Sequence, residues 1–97
     1  MDKIVFITGA SSGIGAGCAR KFASQGASLI LNARNVNKLS ALKEELEKQY
    51  GAKIYLLPFD VRDRKAATSA LESLPKEWQS IDILVNNAGL VIGTDKE

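Results

Sequence analysis

Four short stretches of the chain carry residues whose types and spacing can do chemistry. The first is Thr8-Gly9-Ala10-Ser11-Ser12-Gly13-Ile14-Gly15, whose glycines follow the pattern G-x-x-x-G-x-G directly behind an apolar run at 4–7. A glycine-rich turn that opens into a helix offers unpaired backbone N–H groups and the positive end of the helix dipole, and missing Cβ atoms let an anion approach the backbone. The competing reading is a tight turn that uses glycine only for backbone freedom, and the strand-turn-helix setting weighs against it. The second stretch is Asn32-Ala33-Arg34. A guanidinium there can grip a phosphate bidentately and stack on a flat base, the alternative being a solvated surface arginine. The third is Asp60-Val61, where the carboxylate can accept from a ligand amino group or bond to neighbouring backbone N–H groups. The fourth is Asn86-Asn87-Ala88-Gly89. Its amides can tie strand ends together while Ala88 and Gly89 leave room for a ring or ribose, or the stretch is simply a tight turn.

Composition limits what these stretches can serve. With 97 residues the chain makes one domain at most, and 45% hydrophobic against 25% charged residues is the balance of a globular chain. A formal net charge of +2, with Lys and Arg scattered among acids, argues against nucleic acid as a partner. Cys18 is the only cysteine and histidine is absent, which excludes an internal disulfide and a His/Cys zinc cluster and fits a reducing, cytoplasmic setting. Met1-Asp2-Lys3 leads straight into an apolar run, so neither a signal peptide nor a membrane span is expected.

The elements that must position these stretches are legible in the apolar pattern. Continuous apolar runs at 4–7, 29–31, 54–57 and 81–85, the last with Asp82 inside it, predict strands buried on both faces, as in parallel sheets. Between them lie three helical patterns. Ile14, Cys18 and Phe22, flanked by Ala19 and Ala23, predict a first helix stopped by Gly26. Leu39, Leu42 and Leu46 predict a second, capped by Asn35 or Asn37 and ended by Gly51, with Glu44 and Lys48 as a surface i,i+4 pair. Ala67, Ala70, Leu71 and Leu74 predict a third between an N-cap at Asp63 and Pro75, with Trp78 packing beneath its exit. Cys18 then sits on an apolar helix face as a small packing residue.

The order β-α-β-α-β-α-β predicts an α/β fold, a doubly wound parallel sheet of the Rossmann type with strand order 3-2-1-4 and the fourth strand at an edge. All four chemical stretches follow strands, and such sheets bind ligands beyond the carboxyl ends of their strands. A dinucleotide pyrophosphate fits the first turn. Where an NAD site places Asp or Glu, about twenty residues past the glycines, this chain has Arg34, so the expected cofactor is NADP.

These residues carry a resemblance to the N-terminal part of the short-chain dehydrogenase/reductase family. "TGASSGIG" resembles its cofactor motif TGxxxGxG, "NNAG" its second motif, and Asp60-Val61 stands between them at the family's position. The resemblance implies that Gly9, Ala10, Ser11, Ser12, Gly13, Ile14 and Gly15 hold the pyrophosphate and ribose and that Arg34 selects the 2′-phosphate. It implies further that Asp60 and Val61 frame the adenine, that Asn87, with Ala88 and Gly89, lies near the cofactor ribose, and that Asn86 fixes the central strands. "SLPKEW" followed by "IDILVNNAGLVIG" is similar to a subgroup of NADP-dependent enzymes that oxidise 3-hydroxy acids, including serine and allo-threonine. A small-molecule alcohol or carbonyl substrate and a homo-oligomer, tetramer or dimer, are implied in the same way.

The family's catalytic Tyr-x-x-x-Lys is not among these residues: Tyr50 is followed four positions on by Ile54, and Tyr55 by Phe59. The expectation is therefore the N-terminal part, residues 1–97, of a single NADP-binding domain whose catalytic serine, tyrosine and lysine lie beyond it. The rival is a free-standing nucleotide-binding or interaction module that does not catalyse.

Overall fold

The computed structural model describes residues 2–87, so Ala88 and Gly89 lie outside the described residues. Along the chain run β1 (Ile4–Thr8), α1 (Gly13–Ser24), β2 (Ser28–Leu31), α2 (Val36–Tyr50), β3 (Ile54–Leu56), α3 (Arg64–Glu72), a 3-10 turn (Lys76–Trp78) and β4 (Ile83–Asn86). The strands form one parallel sheet in the expected order 3-2-1-4. Its register places Val5 opposite Leu29 and Ile83, and Ile7 opposite Leu31 and Val85.

Successive side chains of a strand point to opposite faces, so continuous apolar runs must be covered twice. On one face Val5, Ile7, Leu29 and Leu31 pack with Ala19 and Ala23 of α1 and with Leu39, Leu42 and Leu46 of α2. On the other, Phe6 and Ile30 pack with Leu57, Leu74 and Trp78. Trp78 also stacks at a tilt on Tyr55, ring centroids 5.6 Å apart, which is the packing role its place in the sequence predicts. Leu39 and Leu46 are fully buried, and each contributes about 1.5–3 kcal/mol by that burial.

The caps fall where residue type demands. Asn35, the nearer of the two candidates, accepts from Lys38 N at 3.1 Å, and Asp63 accepts from Ala66 N at 3.1 Å. Gly26 and Gly51 follow α1 and α2 with φ of 87° and 65°. On α2 the i,i+4 pair that closes is Lys43 with Glu47, at 3.9 Å, rather than Glu44 with Lys48. Glu45 instead reaches across to Arg20 of α1 at 2.6 Å, and the Arg20 hydrogen bond lowers its pKa.

Two expectations are corrected. Ile14 is 74% exposed and takes no part in the core. The inward face of the first turn of α1 belongs to Gly15 and Ala16, and at Gly15 the β1–α1 turn lies too close for any side chain. The strand expected over 81–85 starts two residues later. Asp82 uses its carboxylate to accept from Ile4 N at 2.9 Å and its own N–H to donate to Ile4 O at 2.9 Å, closing the sheet end before the ladder begins at Ile83.

Candidate functional site

At the carboxyl ends of the strands the chain leaves a cleft of about 560 Å³. The β1–α1 turn supplies Gly9, Ser11 and Ser12; the end of β2 supplies Asn32, Ala33 and Arg34, with Lys38 behind them; the loop after β3 supplies Phe59, Asp60, Val61 and Arg62. Three of the four stretches that sequence chemistry singles out therefore meet at one place.

The turn is built around Ser12, the N-cap of α1. Its hydroxyl donates to Gly9 O at 2.9 Å and accepts from Gly15 N at 3.1 Å and from Asn87 Nδ2 at 2.8 Å. Gly9 has a φ of 61°, which turns the chain sharply out of β1 at a position that L side chains disfavour. Asn87 also donates to Gly9 O at 3.1 Å, binding the end of β4 to the turn. Beside it, the buried Thr8 hydroxyl donates to Asn86 Oδ1 at 3.1 Å, so Asn86 links the two central strands as the resemblance implies. Ala10 and Gly15 underlie the turn rather than face the cleft: Ala10 is fully buried with its N–H donated to Asn32 O at 2.8 Å, and Gly15 N is taken by Ser12. At the start of α1 the N–H groups of Gly13 and Ile14 have no acceptor among the described residues. Two free helix-start donors, the dipole behind them and open space where a Cβ of Gly13 would stand fit the pyrophosphate of a dinucleotide.

The opposite wall departs from expectation at Asp60. Its carboxylate accepts from Arg62 Nη2 at 2.8 Å, from Arg62 Nε at 3.1 Å and from Arg62 N at 2.9 Å. Asp60 thus lines the cleft while its own loop already engages it, the local bonding that was the second of the two readings. The Arg62 hydrogen bonds lower its pKa to about 2 from an ordinary 3.8. A carboxylate whose folded pKa is depressed supports the folded loop above its unfolded pKa and loses that support as pH falls through the folded one. The clamp is therefore expected to hold unchanged down to the ordinary value and to open only as pH approaches 2. An NMR titration of the Asp60 carboxyl carbon checks this, with Arg62→Ala moving the midpoint back toward 3.8.

Arg34 is largely exposed, with Nη1 3.9 Å from Asp60 Oδ2, so its guanidinium is only loosely held and stays presented to the cleft. The residues that sequence reasoning passed over are Asn32, Lys38 and Arg62. Asn32 is 1% exposed, and its Nδ2 donates to Leu57 O at 3.0 Å and Phe59 O at 3.1 Å, joining the floor of the cleft to its far wall. A polar residue ending an apolar run was the available signal for Asn32, and a cation two residues past Asp60 was the signal for Arg62.

Comparison with known proteins agrees with this geometry. The family model described as short chain dehydrogenase matches residues 3–97. An NADP-dependent 3-hydroxy acid dehydrogenase of Schizosaccharomyces pombe is 46% identical over 95 residues, covering 97% of this chain and 37% of that protein. The solved structure of serine dehydrogenase from Escherichia coli superposes with a TM-score of 0.80 at 47% identity, over 93% of this chain and 40% of that one. L-sorbose reductase from Gluconobacter frateurii, solved with NADPH and L-sorbose, gives a TM-score of 0.84 at 37% identity, over 92% of this chain and 34% of that one. The chain thus spans well under half the length of each of these three proteins.

Proposed function

The chain belongs to the short-chain dehydrogenase family, and we propose that its residues are the NADP-binding portion of an oxidoreductase that moves a hydride between NADP(H) and an alcohol or carbonyl substrate. The observation that carries the cofactor reading is Arg34, a loosely held guanidinium at the end of β2 where an NAD site would set a carboxylate. The turn from Gly9 to the helix start would hold the pyrophosphate, with Gly13 and Ile14 donating and Ser12 and Asn87 keeping the turn in shape. Val61 would bound the adenine, Asp60 and Arg62 forming the rigid rim beside it. NADP, when bound, supplies the carbon that accepts or gives the hydride. The acid–base tyrosine and lysine implied by the family are not among the 97 residues, so we assign the proton transfer to residues outside them.

A 3-hydroxy acid such as serine or allo-threonine is the proposed substrate, supported by the names of the S. pombe and E. coli relatives. We propose further that the protein is cytoplasmic and homo-oligomeric and that residues 1–97 belong to one NADP-binding domain. The single cysteine supports the first point, and among the described residues no helix is long and apolar enough to cross a membrane.

Fluorescence titration of the chain with NADPH and NADH tests the reading. NADPH is expected to bind more tightly, and Arg34→Asp is expected to cut that preference by about 30-fold through loss of one charge-assisted contact and gain of a repulsion. Equal affinity of the unaltered chain for both nucleotides would overturn it.

A further inference from the structure

Resting on the NADP reading, we infer that the first turn of α3 steers the cofactor: Arg64 and Lys65 draw the polyanion toward the cleft without touching it, and so set how fast NADPH is captured. Lys and Arg lie scattered along the sequence, but the fold gathers five of them at the carboxyl ends of the strands. Arg34, Lys38 and Arg62 line the cleft, and Arg64 and Lys65 open the helix that follows its far wall. Against these five cations stand two carboxylates, Asp60 and Asp63, which leaves a local balance of +3 on a chain whose whole formal charge is +2. Arg20 and Glu45, on the adjoining groove, pair with each other and add nothing. The remainder of the chain is therefore slightly negative, and the molecule is polarised with its positive end at the cleft.

Arg64 and Lys65 are placed to act at a distance. Both are exposed, neither lines the cleft, and among the described residues neither has a carboxylate within 4 Å. They follow Arg62, which does line the cleft, by two and three residues, a reach of at most about 7 and 11 Å along the backbone. The Cα–Cβ bonds of a helix tilt toward its amino end, so both side chains set out toward the loop of Asp60, Val61 and Arg62. That reach is close to the Debye length of about 10 Å at 0.1 M salt and well inside the roughly 30 Å at 0.01 M, so their field extends to the cleft mouth. A helix start is an unfavourable place for cations, because the dipole is positive there, and the first turn of α3 holds no acid to offset them. Asp63, one residue earlier, is taken up in capping Ala66 N at 3.1 Å. Two unpaired cations held against the dipole, beside a cleft that fits a pyrophosphate, serve capture rather than helix stability. NADPH carries about four negative charges and NADH about two, so the same field hastens the first more than the second.

The test is stopped-flow mixing of the full 97-residue chain with NADPH and with NADH, followed by nucleotide fluorescence over a range of salt. Reversing both charges, Arg64→Glu with Lys65→Glu, is expected to lower kon for NADPH about tenfold at roughly 20 mM salt and kon for NADH about threefold, since the change in log kon scales with ligand charge. The koff values stay as they were, and both differences vanish at about 0.5 M salt. The two substitutions set acids where the helix dipole favours them, so the variant is expected to fold. Lys3→Glu makes the same change in net charge as Arg64→Glu alone, but just before β1 at the amino ends of the strands, and is expected to leave kon unaltered. A loss of affinity carried by koff would mean that Arg64 and Lys65 contact the bound cofactor, and an equal fall of kon in Lys3→Glu would mean that net charge alone acts. Either result, or an unchanged kon in the double variant, overturns steering and leaves the NADP reading standing. Equal Kd of the unaltered chain for NADPH and NADH would instead overturn the NADP reading itself.

Discussion

Gly15→Ala is expected to destabilise the chain by about 3 kcal/mol or more, because the added Cβ has nowhere to go. Built on the existing backbone it would stand 2.1 Å from Gly9 O and 2.9 Å from Ala10 Cα. Carbon contacts prefer roughly 3.5–4.0 Å, and the atoms in the way are backbone, not the ends of rotatable side chains. Relief requires α1 to move off the sheet or the turn to unwind from Gly9. Either movement breaks the bond from Gly15 N to Ser12 Oγ and carries Asn87 with it. A small domain is stable by only about 5–15 kcal/mol, so this one methyl group consumes a large share. Gly17→Ala, two residues on, makes the contrast. A Cβ there meets nothing within 4 Å, and replacing a mid-helix glycine by alanine is worth roughly 0.5–1 kcal/mol in the favourable direction. Urea unfolding followed by circular dichroism should move the two midpoints in opposite directions. A Gly15→Ala midpoint within error of the unaltered chain would mean that the turn is not packed as described.

The same contact explains why parts of the fold were legible in the sequence and parts were not. Continuous apolar runs, side-chain caps at Asn35 and Asp63, and stops at Gly26 and Gly51 are local signals, and local residue chemistry decided those elements. Ile14 has correct helical spacing to Cys18 and Phe22, yet it is excluded from the core by the approach of α1 to the turn, a distance that no periodicity encodes. Asp82 sits in an apolar run and reads as strand, but whether its carboxylate caps Ile4 N depends on the register of β1 against β4. In the site, the loop-after-strand rule found Ser11, Ser12, Arg34, Asp60 and Val61, all of which line the cleft. It could not tell that Arg62 already occupies the Asp60 carboxylate, nor that Lys38, one turn into α2, leans into the same opening as Arg34.

Asn32 is the residue whose importance depends most on the fold, and Asn32→Leu is expected to cost about 2–4 kcal/mol. Leucine shares its branching and heavy-atom count, with bulkier methyl groups in place of the amide, and keeps the backbone bonds, in which Asn32 N donates to Ile7 O at 2.9 Å and Asn32 O accepts from Ala10 N at 2.8 Å. What it removes is the amide that donates to Leu57 O and Phe59 O, 25 and 27 residues further along the chain. The Leu57 carbonyl bond is buried, so that oxygen loses its side-chain donor without gaining water in exchange. The replacement leaves no cavity, so its cost is that of the unsatisfied carbonyl together with crowding by the methyl groups. The consequence extends to the site, because the two lost bonds are what anchors the loop bearing Asp60, Val61 and Arg62 to the end of β2. Hydrogen exchange should accordingly quicken in the loop after β3 more than in the ladder between β1 and β2, and NADPH affinity should fall at urea concentrations where the variant is still folded. Uniformly faster exchange across the whole sheet would instead show that Asn32 contributes only to global stability, whereas faster exchange confined to that loop identifies it as the tie between the two walls of the cleft.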